Sequence, residues 1–337
     1  MLIVTNFAGF PKEWVSSSGL AGRSEYAEGA SEFLRKASEP DSILLVNCEP
    51  GLTMALEARL LLWPFARRRL IAVDLVLRRP ASLWTHGALP LKRFLFSRVD
   101  RHILYFKDLT GYQELFGIRP ERATFVPFKP NLRGRLELPA ATEGEYALCL
   151  GHSLRDYDTF FAAMERLPYA GAIPQPNFAE LRAHNARFTR RLDRLPANVR
   201  VLEDDGTDPG LARVLSQARL VVLPIRRGNM VASGISTALN AMLMGKCVIG
   251  TAGPGMSDIF SEEVLLAPPE DPVRLADQIR MAWENAALRE RTAQAGRRYA
   301  LRLGGEAEFF QRIVDAVVEY TVRQAHEPQS SEIPPFR

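Results

Sequence analysis

The sequence predicts an α/β protein built as two successive Rossmann-like parallel-sheet domains facing across a cleft. Three observations carry this. Short continuous Val/Ile/Leu runs alternate with stretches of helical length, the pattern of strands covered on both faces by crossover helices. The alternation lapses between Lys129 and Glu145, a stretch rich in Pro, Gly and charge, and starts afresh at Tyr146. A chain of 337 residues has room for two domains of roughly 150 residues, each with its own core.

In the first half, strands are expected at Leu2–Thr5, Ser42–Asn47, Leu70–Leu75, Arg101–Phe106 and Ala123–Pro127. The first runs into a loop holding Gly9, Pro11, Gly19 and Gly22, and a helix is expected from Ser24 to Lys36. In the second half a strand opens at Tyr146, with others at Val199–Leu202, Leu220–Pro224 and Cys247–Thr251. Helices are expected over Ser236–Met244, Pro272–Ala286, Leu288–Leu301 and Glu306–Gln324. The boundaries that follow are a first domain over 1–135 and a second over 144–305. A helix over 306–324 is expected to pack back on the first domain, and the Pro-containing tail 325–337 is expected to be disordered.

Composition narrows the function. Lys+Arg number 43 against 39 Asp+Glu, a net charge of +4, and the small excess is scattered. A nucleic-acid binder concentrates its basic residues in tracts with interleaved aromatics, so the expected partners are anionic small molecules or an acidic membrane surface, not nucleic acid. Cys48, Cys149 and Cys247 lie far apart in or beside apolar runs, which reads as reduced thiols in a cytoplasmic protein. Leu2-Ile3-Val4-Thr5 follows no basic segment, so no signal peptide is expected, and the run from Leu60 to Phe65 is too short to span a bilayer. Neither Gly-x4-Gly-Lys-Ser/Thr nor a Gly-x-Gly-x-x-Gly after the first strand occurs, which disfavours ATPases and dinucleotide dehydrogenases. With no Asp-x-Asp after a strand and five dispersed histidines, neither a metal nor a cofactor is expected.

Ligands of open α/β sheets bind beyond the carboxyl ends of the strands, where helix N-termini present N–H groups to anions. Three such ends stand out in the second half. Gly151-His152-Ser153-Leu154-Arg155-Asp156 offers close backbone approach at Gly151, a hydroxyl at Ser153 and a guanidinium at Arg155; a turn with an N-capping Asp is the plainer alternative. Arg226-Arg227 followed by Ser233-Gly234-Ile235-Ser236-Thr237 offers a diphosphate cradle with hydroxyl caps, against the alternative of a capped helix beside a solvated arginine pair. The Gly250–Asp258 loop is a third glycine-rich turn.

In this order and spacing the segments resemble the donor domain of the group-1 (family-4-like) GT-B glycosyltransferases. LCLGHSLRDYDTFFAAMERL is similar to the family's opening strand, glycine loop and helix. ARLVVLPIRRGNMVASGISTALNAMLMGKCVIGTAGPGMSDIF is similar to its donor-binding stretch, and PVRLADQIRMAWENAALRERTAQAGRRYA to its closing helices. The likeness runs from about Asp100 to Ala300. It implies the GT-B fold, a nucleotide-sugar donor as co-substrate, and a sugar or lipid-linked acceptor, in polysaccharide or glycolipid assembly. The family's Glu-x7-Glu pair is replaced here by Ala232 and Asn240. The resemblance makes Asn240 the ribose-facing position, where it keeps a hydrogen bond without charge. Arg155 with Arg226 or Arg227 would supply the basic diphosphate contacts.

Stabilising a leaving diphosphate without a metal calls for helix N–H groups and arginines. On the acceptor side, Asp74 at a strand end and His86 are the candidate bases, although a strand-end Asp also serves as a loop or cap residue. Gly19 and Gly22 resemble the family's glycine loop near the acceptor, or else form a surface turn. Basic and large apolar residues mix over Leu60–Arg69 and Leu91–Arg98, as on a surface that rests on anionic lipid, or on a packed helix with a polar end. Two other functions stay open: a non-catalytic partner subunit of the same fold, and a nucleotide-sugar epimerase.

Overall fold

The computed structural model describes residues 1–62, 68–80, 82–134, 137 and 144–326. The first half forms strands β1 (Leu2–Thr5), β2 (Glu13–Val15), β3 (Ala21–Tyr26), β4 (Ile43–Asn47), β5 (Arg69–Val73), β6 (Arg101–Leu104) and β7 (Ala123–Phe125). They make one sheet of order β2-β3-β1-β4-β5-β6-β7. Every pairing is parallel except β2 with β3. Helices α1 (Gly29–Lys36), α2 (Pro50–Leu62), α3 (Leu83–Gly87), α4 (Leu89–Phe96) and α5 (Thr110–Phe116) connect them.

The second half forms β8 (Tyr146–Cys149), β9 (Gly171–Pro174), β10 (Val199–Leu202), β11 (Ala218–Leu223), β12 (Cys247–Thr251) and β13 (Val264–Ala267). These make an all-parallel sheet of order β10-β9-β8-β11-β12-β13. Its helices are α6 (Tyr157–Met164), α7 (Phe178–Ala183), α8 (Asp208–Ser216), α9 (Ile235–Leu243), α10 (Pro272–Glu284) and α11 (Ala286–Arg302), before the last helix, α12 (Glu306–His326). The central strands are buried, β1 and β8 throughout and β4 up to Val46, because helices cover both faces.

Several elements differ from expectation. Ser24–Tyr26 belong to β3, paired with β1 from Leu2↔Arg23 to Thr5↔Tyr26, so the following helix starts only at Gly29. The hairpin supplies backbone partners that outweigh the helical pattern read in those residues. Strands β9 (Gly-Ala-Ile-Pro) and β13 (Val-Leu-Leu-Ala) were not expected. Each is four residues long, too short for periodicity to register, and each forms by joining a neighbour already in the sheet. Helix α12 runs to His326, two residues into the expected tail; 327–337 lie outside the described residues, as does most of 135–143.

Helix α12 packs on the first sheet. Phe309 and Phe310 stack edge-on against Phe7, with Phe310 also on Phe10 and Phe309 on Tyr105 and Phe128. Farther along, the Asp315 carboxylate accepts from Ser17 N and Oγ, both at 2.7 Å.

The carboxyl ends of the two sheets face each other. Asp258 Oδ2, beyond β12, accepts from the backbone N–H groups of Lys107 and Asp108, beyond β6, at 2.7 and 2.9 Å. Oδ1 of the same carboxylate holds Gly255 N at 2.7 Å. Met230, beyond β11, seats against Gly111 so closely that an added Cβ would lie 2.6 Å from its sulfur. Arg78, beyond β5, donates to Ala183 O at 3.4 Å.

Candidate active site

The strand order reverses on either side of β8, and the crevice at that switch point is where α/β sheets take ligands. Here the chain turns after Cys149 through Gly151 (φ +101°) and Leu154 (φ +51°). Hydrogen bonds pin the turn on two sides: Arg226 N to Leu154 O and Asp156 N to Pro224 O on one, Arg187 N to Arg155 O on the other. Asp156 caps α6, accepting from Thr159 N and Oγ1. The capping role offered as the plainer alternative therefore belongs to Asp156, which leaves Arg155 free for another.

Arg155 is 1% exposed, and its Nε and Nη1 have no hydrogen-bond partner among the described residues. Desolvation by burial pushes its guanidinium below its ordinary value. It lies between two glycine turns: a Cβ at Gly151 would sit 2.6 Å from Nη2, and one at Gly234 would sit 3.1 Å from Nη2 and 3.2 Å from Nη1. Gly234, at φ +84°, is the residue before α9, and no side chain caps that helix. Unpaired guanidinium N–H groups thus meet an open helix N-terminus carrying about half a positive charge. Groups so arranged can hold an anion.

Several expected site residues take other places. Ser236 and Thr237 do not cap α9, since the left-handed turn at Gly234 brings the chain in from another direction. Ser233 braces the loop instead, its Oγ reaching Asn229 Oδ1 at 3.1 Å and Ser153 Oγ at 3.3 Å. Arg227 swings away to Glu270 and Pro269, and Arg226 Nη1 is engaged by Asn185 O at 3.1 Å. Neither arginine joins Arg155. Asn240 is 3% exposed and its Oδ1 accepts from Leu132 N at 3.1 Å. It secures the segment leaving the first domain rather than facing a ribose.

Beside the cradle opens a cavity of about 590 Å³, within the range of small-ligand sites. Gly151, His152 and Thr237 line it at the cradle end, and Gln175, Asn177 and Asp204, from the ends of β9 and β10, at the other. This second end was missed in the sequence because it depends on β9. The half-exposed His152 lies with its ring 6.4 Å from that of His184 and its Nδ1 3.8 Å from Glu180.

Across the cleft, Cys48 and Asp74 end adjacent strands β4 and β5, both in left-handed backbone conformation (φ +55° and +44°). Such strain in non-glycine residues concentrates at functional sites. Burial pushes the Asp74 carboxyl up to about 7, although Cys48 Sγ, 3.9 Å from Oδ2, opposes the shift. Burial, then the Asp74 charge, pushes the Cys48 thiol up to about 12. His86 stands apart: it is exposed, and its Nδ1 donates to Ser82 O at 2.8 Å within its own turn.

Gly19 and Gly22 also lie elsewhere. Gly19 is in the β2–β3 turn, and Gly22 pairs with Trp14 at the start of β3, where an added Cβ would meet the Trp14 ring at 2.1 Å. Because β3 runs parallel to β1, this is the amino end of the sheet, opposite the cleft. Gly9 (φ +77°) lies beyond the carboxyl end of β1, where an added Cβ would meet Glu306 and Phe310 of α12. Among the described residues no group of three His, Cys, Asp or Glu side chains is placed to hold a metal ion.

This architecture has known counterparts. HepE of Anabaena, solved in complex with UDP, matches with a TM-score of 0.63 at 14% identity, over 88% of this chain and 86% of its own. Sucrose-phosphate synthase of Thermosynechococcus elongatus matches with a TM-score of 0.63 at 15% identity, over 96% and 89%. A glycosyltransferase of Rickettsia africae gives 0.60 at 13%, over 86% and 79%. The fold is GT-B. Residues 166–285, from just after α6 through α10 of the second GT-B domain, match the family model described as Glycosyl transferases group 1, inside the stretch whose sequence resembles that family. No curated protein matches the chain.

Proposed function

We propose that the protein is a metal-independent glycosyltransferase that moves a sugar from a nucleoside-diphosphate sugar to a hydroxyl acceptor. The observation that carries this is Arg155, buried with unpartnered N–H groups at the uncapped start of α9. Diphosphate oxygens complete both sets of donors, and the charge that develops on them as the glycosidic bond breaks is stabilised by groups already in place. The nucleoside extends into the cavity beside Gly151. Asp74, half-buried with its carboxyl near 7, holds or takes the acceptor proton on the opposite wall.

The acceptor is lipid-linked or polysaccharide-bound in this proposal, reached from an anionic membrane surface in the cytoplasm. Support comes from α3 and α4, where Leu83 (91%), Trp84 (90%), Leu91 (57%) and Phe94 (53%) are exposed. Arg98 lies over the Phe94 ring at 5.6 Å. Aromatic, aliphatic and basic side chains on one surface suit the interface of an anionic bilayer. No helix among the described residues is long and apolar enough to cross a membrane. Half of the other mixed stretch, residues 63–67, lies outside the described residues.

The test is thermal stabilisation of the full chain by UDP-, GDP-, ADP- and dTDP-sugars with and without EDTA, followed by release of nucleotide in the presence of a lipid extract. Chelator-insensitive stabilisation with sugar-dependent release is expected. Binding without any transfer supports the partner-subunit alternative, which Ala232 and the diverted Asn240 favour. Binding lost in EDTA overturns metal independence.

A further inference from the structure

Three strand ends are tied together around Asp74. The Asn6 side chain, beyond β1, grips the last residue of β4 by both backbone groups: Oδ1 accepts from Asn47 N at 2.7 Å and Nδ2 donates to Asn47 O at 3.1 Å. The next residue, Cys48, gives its N–H to Val73 O at 2.9 Å, and Asp74 gives its own to Ile103 O at 2.8 Å. Asn47 and Val73 are partners in register, so Cys48 and Asp74 leave their strands side by side, and both turn left-handed there. Backbone bonds to the neighbouring strands hold these two residues in a conformation that non-glycine residues rarely adopt. The matched turns bring their side chains together, with Cys48 Sγ 3.9 Å from Asp74 Oδ2.

That contact is the one hydrogen bond of the Asp74 side chain among the described residues, and Oδ1 is neither bonded nor sealed from water. The thiol has a second acceptor in Asn47 Oδ1, at 3.4 Å. A single S–H serves one of them at a time, and an ionised carboxylate is the stronger acceptor. It therefore bonds Oδ2 when Asp74 is charged and falls back on Asn47 when Asp74 is protonated. Burial, then the Asp74 charge, pushes the thiol up to about 12, so it remains a donor throughout the range in which Asp74 titrates. The other titratable groups facing Asp74 are Tyr105, beyond β6, and Tyr112 of α5, both held neutral by burial. Tyr112 spends its hydroxyl on Leu75 O and Leu77 N, and Glu49 bears on Cys48. Cys48 is thus the side chain that works against burial at Asp74.

On the acceptor-side role proposed for Asp74, we infer that Cys48 is its positioning residue: the thiol fixes Oδ2 so that Oδ1 meets the acceptor hydroxyl. The hydroxyl proton passes to Oδ1 as the hydroxyl oxygen bonds the sugar, and the diphosphate leaves with the electron pair of the broken bond. The thiol keeps its own proton throughout and touches neither substrate.

Two readouts separate positioning from packing. Carbon-13 NMR of the full chain labelled at aspartate Cγ, with the Asp74 signal assigned through Asp74→Asn, follows its titration without any substrate. Nucleotide release from UDP-, GDP-, ADP- and dTDP-sugars with a lipid extract follows transfer against pH. Cys48→Ala removes the donor and is expected to raise the Asp74 midpoint by about half to one pH unit. The rise in transfer rate moves upward by the same amount, which slows transfer at pH 7 about two- to fivefold. Cys48→Gly, which suits the left-handed backbone, repeats the loss of the donor should alanine disturb the fold. Cys48→Ser restores a donor and returns both midpoints to the wild-type value or below it. A midpoint that stays in place in the alanine and glycine variants, or a serine variant that behaves like alanine, overturns the positioning role while Asp74 stands as the base. Full transfer by Asp74→Asn overturns the role of Asp74 and that of Cys48 with it.

Discussion

Replacing Arg155 with methionine sets folding against binding in a way that a purely structural residue cannot imitate. Methionine has a similar length, no charge, and fills irregular space well. In the free protein the guanidinium is buried with two donor atoms unpartnered, and each unmet donor costs about 1–3 kcal/mol. Allowing for imperfect repacking, Arg155→Met stabilises the free protein by about 1–3 kcal/mol, a rise in melting temperature of about 2–8 °C. Diphosphate binding moves the other way. Removing one side of a buried charge-assisted contact costs about 2–4 kcal/mol, which at 1.36 kcal/mol per decade is a loss of about 30- to 1000-fold in affinity. Differential scanning fluorimetry of the free chain and calorimetric titration with nucleoside diphosphate give the two numbers. A lower melting temperature with unchanged affinity would show that Arg155 is a core residue, and the cradle would fall with it.

Three further outcomes follow from the structure. Because the folded Asp74 carboxyl is raised to about 7 from an unfolded value near 3.9, the native state holds the extra proton between those values. Stability from this group is full below about pH 4 and is lost as pH rises through 7; Asp74→Asn flattens that slope in pH-resolved melting curves and abolishes a transfer-rate rise centred near 7. Asp258→Ala leaves the Lys107 and Asp108 N–H groups without their shared acceptor, at about 1–3 kcal/mol each if they stay buried. Its expected signature is a larger radius of gyration by X-ray scattering and transfer slowed about tenfold or more, with donor affinity within about twofold; unchanged scattering and rate would rule out a clasp between the domains. Trp84→Ser with Phe94→Ser, both exposed, lowers co-sedimentation with anionic vesicles and leaves nucleotide binding intact; equal sedimentation of the two proteins would remove the membrane surface.

The sequence by itself determined the architecture and the neighbourhood of the site. Runs such as Ile43–Val46 and Cys247–Ile249 are apolar throughout because both faces of their sheets are covered, and that local signal survives without any knowledge of partners. Glycines at strand ends and the arginine at 155 were legible for the same reason: they mark turns where backbone approaches a ligand. What each polar side chain does there was decided by tertiary structure. Arg155, Arg226 and Arg227 look alike in sequence, yet only Arg155 is driven inward, because bridges on both sides of its turn fix the direction of its side chain. Asn240 was spoken for by Leu132, 108 residues away, and Gly22 was carried to the far end of the sheet by the strand it joined. The acidic run at Asp204, Asp205 and Asp208 stands in the sequence, but its place at the far end of the cavity was set only when the four residues of β9 joined β8 and β10. A side chain's type is local information; its direction, its partner and its distance from water belong to the packed chain.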